Sequence, residues 1–139
     1  MKNTAIVIPT RLAAKRFPNK PLAKINNVPM IIHTLNKAKK ANVGDVFVAT
    51  PDEEILEIVK KNDGKAILTK QNHLSGSDRV YEIYLKELKN KVDIIINLQG
   101  DMPNINPASI VKLEKLMRNN TCDIGTLAAP ITNNKEMEN

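Results

Sequence analysis

The strongest constraint on how this chain can fold is a repeated change of hydrophobic period. Short β-branched runs that are apolar at consecutive positions alternate with stretches whose apolar residues recur three and four apart. Thr4-Ala5-Ile6-Val7-Ile8, stopped by Pro9, is the first such run, and unbroken apolarity suits a strand covered on both faces. Residues 29–41 predict a helix opened by Pro29, with Ile31, Ile32, Leu35 and Ala38 along one side. Lys37, Lys39 and Lys40 fall toward its end, where the helix dipole favours cations. The pattern then recurs as a strand over 45–49, a helix over 52–62, a turn at Asp63-Gly64 and a strand over 65–68. A helix over 77–88, a strand over 92–98, a helix over 107–117 and a strand over 123–128 complete the series. Such alternation predicts right-handed βαβ units, hence an α/β fold with a Rossmann-like, open, mostly parallel sheet flanked by helices on both faces. Ligands of such sheets bind beyond the carboxyl ends of the strands.

A chain of 139 residues with 42% apolar content can bury one core, so residues 1–139 are expected to form a single domain or a piece of a larger protein. Apolar runs such as Ile94-Ile95-Ile96 fall far short of the roughly 20 residues a membrane span needs. Met1-Lys2-Asn3 leads straight into a strand without a secretory hydrophobic region, and the expectation is a cytoplasmic protein with no membrane partner. The lone Cys122 cannot form an internal disulfide and reads as a small buried residue. A net charge of +6 raises the question of nucleic acid, but seventeen of the twenty-one basic residues are scattered lysines. With aromatics at only 3%, no base-stacking platform is available and no nucleic-acid partner is expected. The polar stretch Thr132-Asn133-Asn134-Lys135 follows a strand without a closing helix, which reads as an interruption rather than a natural end.

Three segments fall directly after predicted strands, where a ligand is expected. The loop 9–21 carries Arg11, Lys15, Arg16 and Lys20 between prolines, and guanidinium forks with ammonium groups suit a polyphosphate. It lacks the glycines of a P-loop. His73-Leu74-Ser75-Gly76-Ser77-Asp78-Arg79 runs into a helix that Ser75 or Ser77 can cap, leaving amide groups for a base edge or an anion. Asn97-Leu98-Gln99-Gly100-Asp101 places a carboxylate beside a glycine at a strand end, suited to a Mg²⁺ ion bridging phosphate oxygens. Together the three suit a nucleoside triphosphate.

The opening stretches Ile8-Pro9-Thr10-Arg11-Leu12-Ala13, Arg16-Phe17-Pro18-Asn19-Lys20-Pro21-Leu22 and Val28-Pro29-Met30-Ile31 resemble the signature of the 3-deoxy-manno-octulosonate (Kdo) cytidylyltransferases. Val48-Ala49-Thr50, His73 to Arg79 and Asn97 to Asp101 follow in that family's order. Met102, Pro51 and the Ala14-Lys15 pair depart from its usual pattern. The resemblance implies a sheet of the nucleotide-diphospho-sugar transferase type and a Mg²⁺-dependent transfer of CMP from CTP to the acidic sugar Kdo, for lipopolysaccharide synthesis. It implies that Arg11 and Lys20 grip the triphosphate, that Pro9, Ser75, Gly76, Ser77 and Arg79 line the nucleotide pocket, that Gln99 faces the sugar and that Asp101 binds the metal. It further implies that a C-terminal part supplies a second acidic metal ligand, most sugar contacts and a homodimer interface. Alternatives are a cytidylyltransferase for another acidic sugar such as sialic acid, and a non-catalytic module that binds an anion or RNA.

Overall fold

The computed structural model describes residues 3–13, 19–70 and 75–119, together with the backbone of 124–126. Strand β1 (Thr4–Pro9) leads through a 3₁₀ turn at Lys20–Leu22 into a two-stranded hairpin, β2 (Lys24–Ile25) and β3 (Val28–Pro29), and then helix α1 (Met30–Ala41). β4 (Asp45–Thr50), α2 (Glu53–Lys61) and β5 (Lys65–Leu68) follow, then α3 (Gly76–Ile83), which continues as a π-helical turn over Tyr84–Leu88. β6 (Ile94–Asn97), α4 (Pro107–Arg118) and β7 (Ile124–Thr126) complete the described order. The main sheet runs β5-β4-β1-β6-β7, and every neighbouring pair is parallel. The predicted open parallel sheet is therefore observed. Residues 123, 127 and 128 of the last predicted strand lie outside the described residues, as do Lys15, Arg16, His73, Cys122 and the 132–135 stretch.

Strand side chains alternate between faces, and here both faces are covered. Ile6 and Ile8 of β1, Val46 and Val48 of β4 and Ile94 and Ile96 of β6 pack with Ile31, Ile32 and Leu35 of α1, Ile55 and Val59 of α2 and Ile110 of α4. Their neighbours Ala5, Val7, Ala49 and Ile95 point the other way, against Val80 and Ile83 of α3 and Leu88 beyond it. Three helices thus cover one face and α3 with its extension the other. The consecutive apolar run of β1 is the sequence mark of this double burial. No helix among the described residues is long and apolar enough to cross a membrane.

Two features depart from the periodic reading. The segment before α1 holds the hairpin, whose turn residues Asn26 and Asn27 have φ of 52° and 65°. Asparagine tolerates that left-handed region, so the Asn-Asn pair is a hairpin-turn signal that apolar periodicity does not register. The helix expected over 77–88 is α-helical only to Ile83. An ordinary i+4 step from Ile83 would bring the charged Glu87 inward. The π-helical i+5 step brings Leu88 instead, which is buried while Glu87 is exposed.

The turn between α1 and β4 runs tightly against the start of β1. A methyl group at Gly44 would lie 1.8 Å from the Thr4 carbonyl oxygen and 2.7 Å from its carbon, both backbone atoms. Gly44→Ala is expected to destabilise the chain by about 3 kcal/mol, since overpacking against backbone has no flexible side chain to absorb it. The urea midpoint of unfolding checks this, and an unchanged midpoint would contradict the packing described.

Candidate functional site

The order β5-β4-β1-β6-β7 contains a reversal at its centre. From β1 the chain proceeds to β4 on one side, and from β6 to β7 on the other. Two adjacent strands therefore send their following loops apart, and the gap between them at the carboxyl rim is where open α/β sheets take ligands. A cavity of about 220 Å³ occupies this gap. Pro9, Thr10 and Arg11 enter it from the end of β1, Lys20 and Pro21 from the 3₁₀ turn, and Met30 from the first turn of α1. Ser75, Gly76 and Arg79 line it from the start of α3, and Gln99, Gly100 and Asp101 from the end of β6.

Pro9, Arg11, Lys20, Ser75, Gly76, Arg79, Gln99 and Asp101, singled out from three distant parts of the sequence, all line this one cavity. Ser77 is not among the lining residues. Ser75 takes the N-cap, its Oγ accepting from the Asp78 amide at 3.2 Å, so the helix begins at Gly76. Ser77 then falls in the first turn, where its Oγ accepts from Asn97 Nδ2 at 3.3 Å. Asn97 in turn accepts from Gln99 Nε2 at 3.2 Å, so the Ser77 side chain is linked to the cavity-lining Gln99 through Asn97.

Electrostatics give the cavity its character. Lys20 Nζ donates to Asp101 Oδ2 at 3.4 Å, with the two side chains 40% and 55% exposed. A pair so open to water holds weakly and is readily displaced by another anion or cation. Arg79 is only 3% exposed. Its guanidinium donates to Thr69 Oγ1 and, at 2.7 Å, to the Lys70 carbonyl, which ties the end of β5 to α3. Burial lowers its pKa from the ordinary arginine value, and the charge of Arg11 adds to the effect, while Glu82 and Asp52 oppose it. It stays charged at neutral pH, because the ordinary value is so high. Arg11, Lys20 and Arg79 thus form a cationic wall, and Asp101 supplies a carboxylate at its rim.

Among the described residues no three His, Cys, Asp or Glu side chains gather to hold a metal. Asp101 alone fits a hard cation that completes its shell with phosphate oxygens and water, and the Lys20 ammonium beside it shows that the position accepts positive charge. Asp52 is a residue the sequence reading placed only at a helix start. Its side chain does not cap α2; its Oδ2 accepts from the Leu12 amide at 2.8 Å and so holds the loop that carries Arg11. The rule that picked out the other loops, applied to the carboxyl end of β4, points to it. Met102, one of the departures from the resembled pattern, packs against the core beneath the site.

Comparison with known proteins agrees with this geometry. A 3-deoxy-manno-octulosonate cytidylyltransferase from Nitrobacter winogradskyi is 43% identical over 137 residues, which cover 98% of this chain and 54% of the relative. The chain thus spans about half the length of the curated relatives it matches. The solved structure of a CMP:2-keto-3-deoxy-manno-octonic acid synthetase complexed with CTP superposes with a TM-score of 0.80 at 42% identity, over 85% of this chain and 48% of that one. A Mycobacterium tuberculosis H37Rv protein solved with manganese shares the fold at 14% identity, with a TM-score of 0.60 over 84% of this chain and 59% of that one. The cytidylyltransferase family model matches residues 5–139, and with that the chain belongs to the cytidylyltransferase family.

Proposed function

We propose that this chain binds CTP in the cavity between the ends of β1 and β6 and serves the transfer of CMP to the acidic sugar Kdo, with release of pyrophosphate. The observation that carries this reading is the meeting of Arg11, Lys20 and Arg79 with Asp101 around one cavity, in a chain 42% identical to a synthetase solved with CTP. In the reaction, the anomeric hydroxyl oxygen of the sugar forms a bond to the α-phosphorus and the bond from that phosphorus to the bridging β-phosphate oxygen breaks. The hydroxyl proton leaves to solvent and the electron pair departs with pyrophosphate.

Such chemistry depends on alignment and charge neutralisation more than on a covalent nucleophile. Arg11 and Lys20 bind the phosphate oxygens and stabilise the charge that accumulates on the departing pyrophosphate. The amides of Gly76 and Ser77, left without intrahelical partners at the start of α3, present donors to the base or to an anion. Gln99, on the β6 side of the cavity, faces the sugar. Asp101 would hold Mg²⁺, which would supply positive charge to neutralise the triphosphate. On this reading residues 1–139 act as one nucleotide-binding unit. Among the described residues Asp101 is the one acidic residue lining the cavity, and the chain spans about half its relatives, so a second acidic metal ligand and most sugar contacts come from elsewhere in a full-length enzyme.

Calorimetric titration distinguishes this reading from a generic anion site. CTP should bind more tightly than UTP, and more tightly with Mg²⁺ than with EDTA; equal affinity for the two nucleotides would overturn the assignment. Arg11→Ala should weaken CTP binding about 10- to 100-fold, the range expected for losing a charged hydrogen bond. Asp101→Ala should abolish the gain from Mg²⁺ while leaving metal-free CTP binding nearly unchanged, because it removes a metal ligand and not a phosphate contact. In pyrophosphate-release assays, a full-length relative carrying these residues should turn over Kdo in preference to sialic acid. The 139-residue chain alone should turn over little.

A further inference from the structure

Thr34 is a polar side chain with no exposed surface, set on α1 among Ile31, Ile32 and Leu35. A threonine within a helix ordinarily returns its hydroxyl to the carbonyl four residues back. That acceptor, Met30 O, lies at 3.4 Å, whereas Gly100 O lies at 2.9 Å, across 66 residues of sequence. A hydroxyl has one proton to donate, and the shorter contact takes it. The hydrogen bond therefore leaves the helix and ends on the carbonyl immediately before Asp101.

We infer that Thr34 is a positioning residue: its hydroxyl fixes the Gly100 carbonyl and through it sets where the Asp101 carboxylate stands. Gly100 is buried, so its carbonyl needs a donor from the protein, and Thr34 is that donor. With the hydroxyl removed, the buried oxygen turns to seek another partner and the peptide joining Gly100 to Asp101 turns with it. Asp101, itself exposed and held only by the open contact to Lys20, has no other strong restraint among the described residues. Small displacements of a metal ligand have large effects. Its nucleotide part rests on the CTP reading above; the effect on Asp101 itself does not.

Thr34→Val replaces the hydroxyl by a methyl of the same shape, and Thr34→Ser keeps the hydroxyl. Amide ¹⁵N relaxation on the ligand-free chain should show lower order parameters at Gly100 and Asp101 in Thr34→Val, with values in Thr34→Ser like those of the unaltered chain. In calorimetry, Thr34→Val should reduce the Mg²⁺-dependent gain in CTP affinity about five- to tenfold, the effect of one hydrogen bond, with metal-free CTP affinity little changed. Thr34→Ser should restore the gain. If Thr34→Val fails to fold, Thr34→Ala deletes the same hydroxyl with less bulk. Unchanged order parameters at Asp101 would overturn the inference, as would an equal loss of CTP affinity with and without metal. Absence of any Mg²⁺-dependent gain in the unaltered chain would instead sink the proposed function, and the relaxation data would still decide the role of Thr34.

Discussion

The site depends first on the burial of β1. Its residues Ala5 to Ile8 have no exposed surface, and its backbone is paired in parallel on both edges, with β4 and with β6. A strand covered on both faces cannot slip by one residue without exchanging Ile6 and Ile8 with Ala5 and Val7, which would force isoleucines against α3 and leave voids beneath α1. Register is thereby fixed, and with it the level at which each loop leaves the sheet. Pairing continues just past the strand ends, where the Thr10 amide donates to Ala49 O at 3.0 Å and the Leu98 amide to Val7 O at 3.0 Å. Arg11 and Asp101 emerge from neighbouring strands as a consequence of core packing.

Charge is arranged around that geometry with little local neutralisation. Arg79 is buried, and burial lowers its pKa, with the charge of Arg11 adding to the effect. Asp52 and Glu82 partly offset this, but each also holds backbone: Asp52 accepts from the Leu12 amide and Glu82 from the Lys70 amide at 3.0 Å. The same carboxylates therefore place the loops and limit the repulsion between the cations those loops carry. The positive charge left facing the cavity favours a polyanion over a neutral ligand, and a small basic pocket of this kind explains more than the scattered lysines behind the net charge of +6.

Much of this was legible in the residues, and what was missed has specific causes. Consecutive apolar positions in β1 and β6 and helical spacing in α1, α2 and α4 are large-area signals, so the parallel sheet and its flanking helices could be read directly. The cavity residues could be read because topology, once known, assigns strand ends to one rim. The hairpin at 24–29 depends on two asparagines in left-handed conformation, and the π-helical turn on the choice between Glu87 and Leu88; both are local decisions that periodicity averages away. Ser77 shows a different limit: two serines two residues apart could each have capped α3, and only the entry path of the chain decides that Ser75 does. Asp52 and Thr34 act through backbone atoms of segments distant in sequence, and nothing in a pattern of side chains announces a hydrogen bond to a peptide group.

The loops around the cavity approach one another closely. A methyl group at Gly76 would meet Pro9 Cγ at 3.1 Å and the Gln99 side-chain amide at 3.4 and 3.5 Å, and one at Gly100 would meet Thr10 Cβ and Oγ1 at 3.1 Å. Three walls of the cavity, from the ends of β1 and β6 and the start of α3, thus approach one another closely, with little space for a further carbon. Walls packed this closely hold one another in place. A ligand entering a formed cavity loses less free energy to ordering the protein, and more of its contact energy remains for discrimination between ligands. The exposed Lys20 and Asp101 stand at the rim with only each other for side-chain partners among the contacts described, while the backbone before Asp101 is held by Thr34. Close packing thus lies behind the cavity and open charge at its rim.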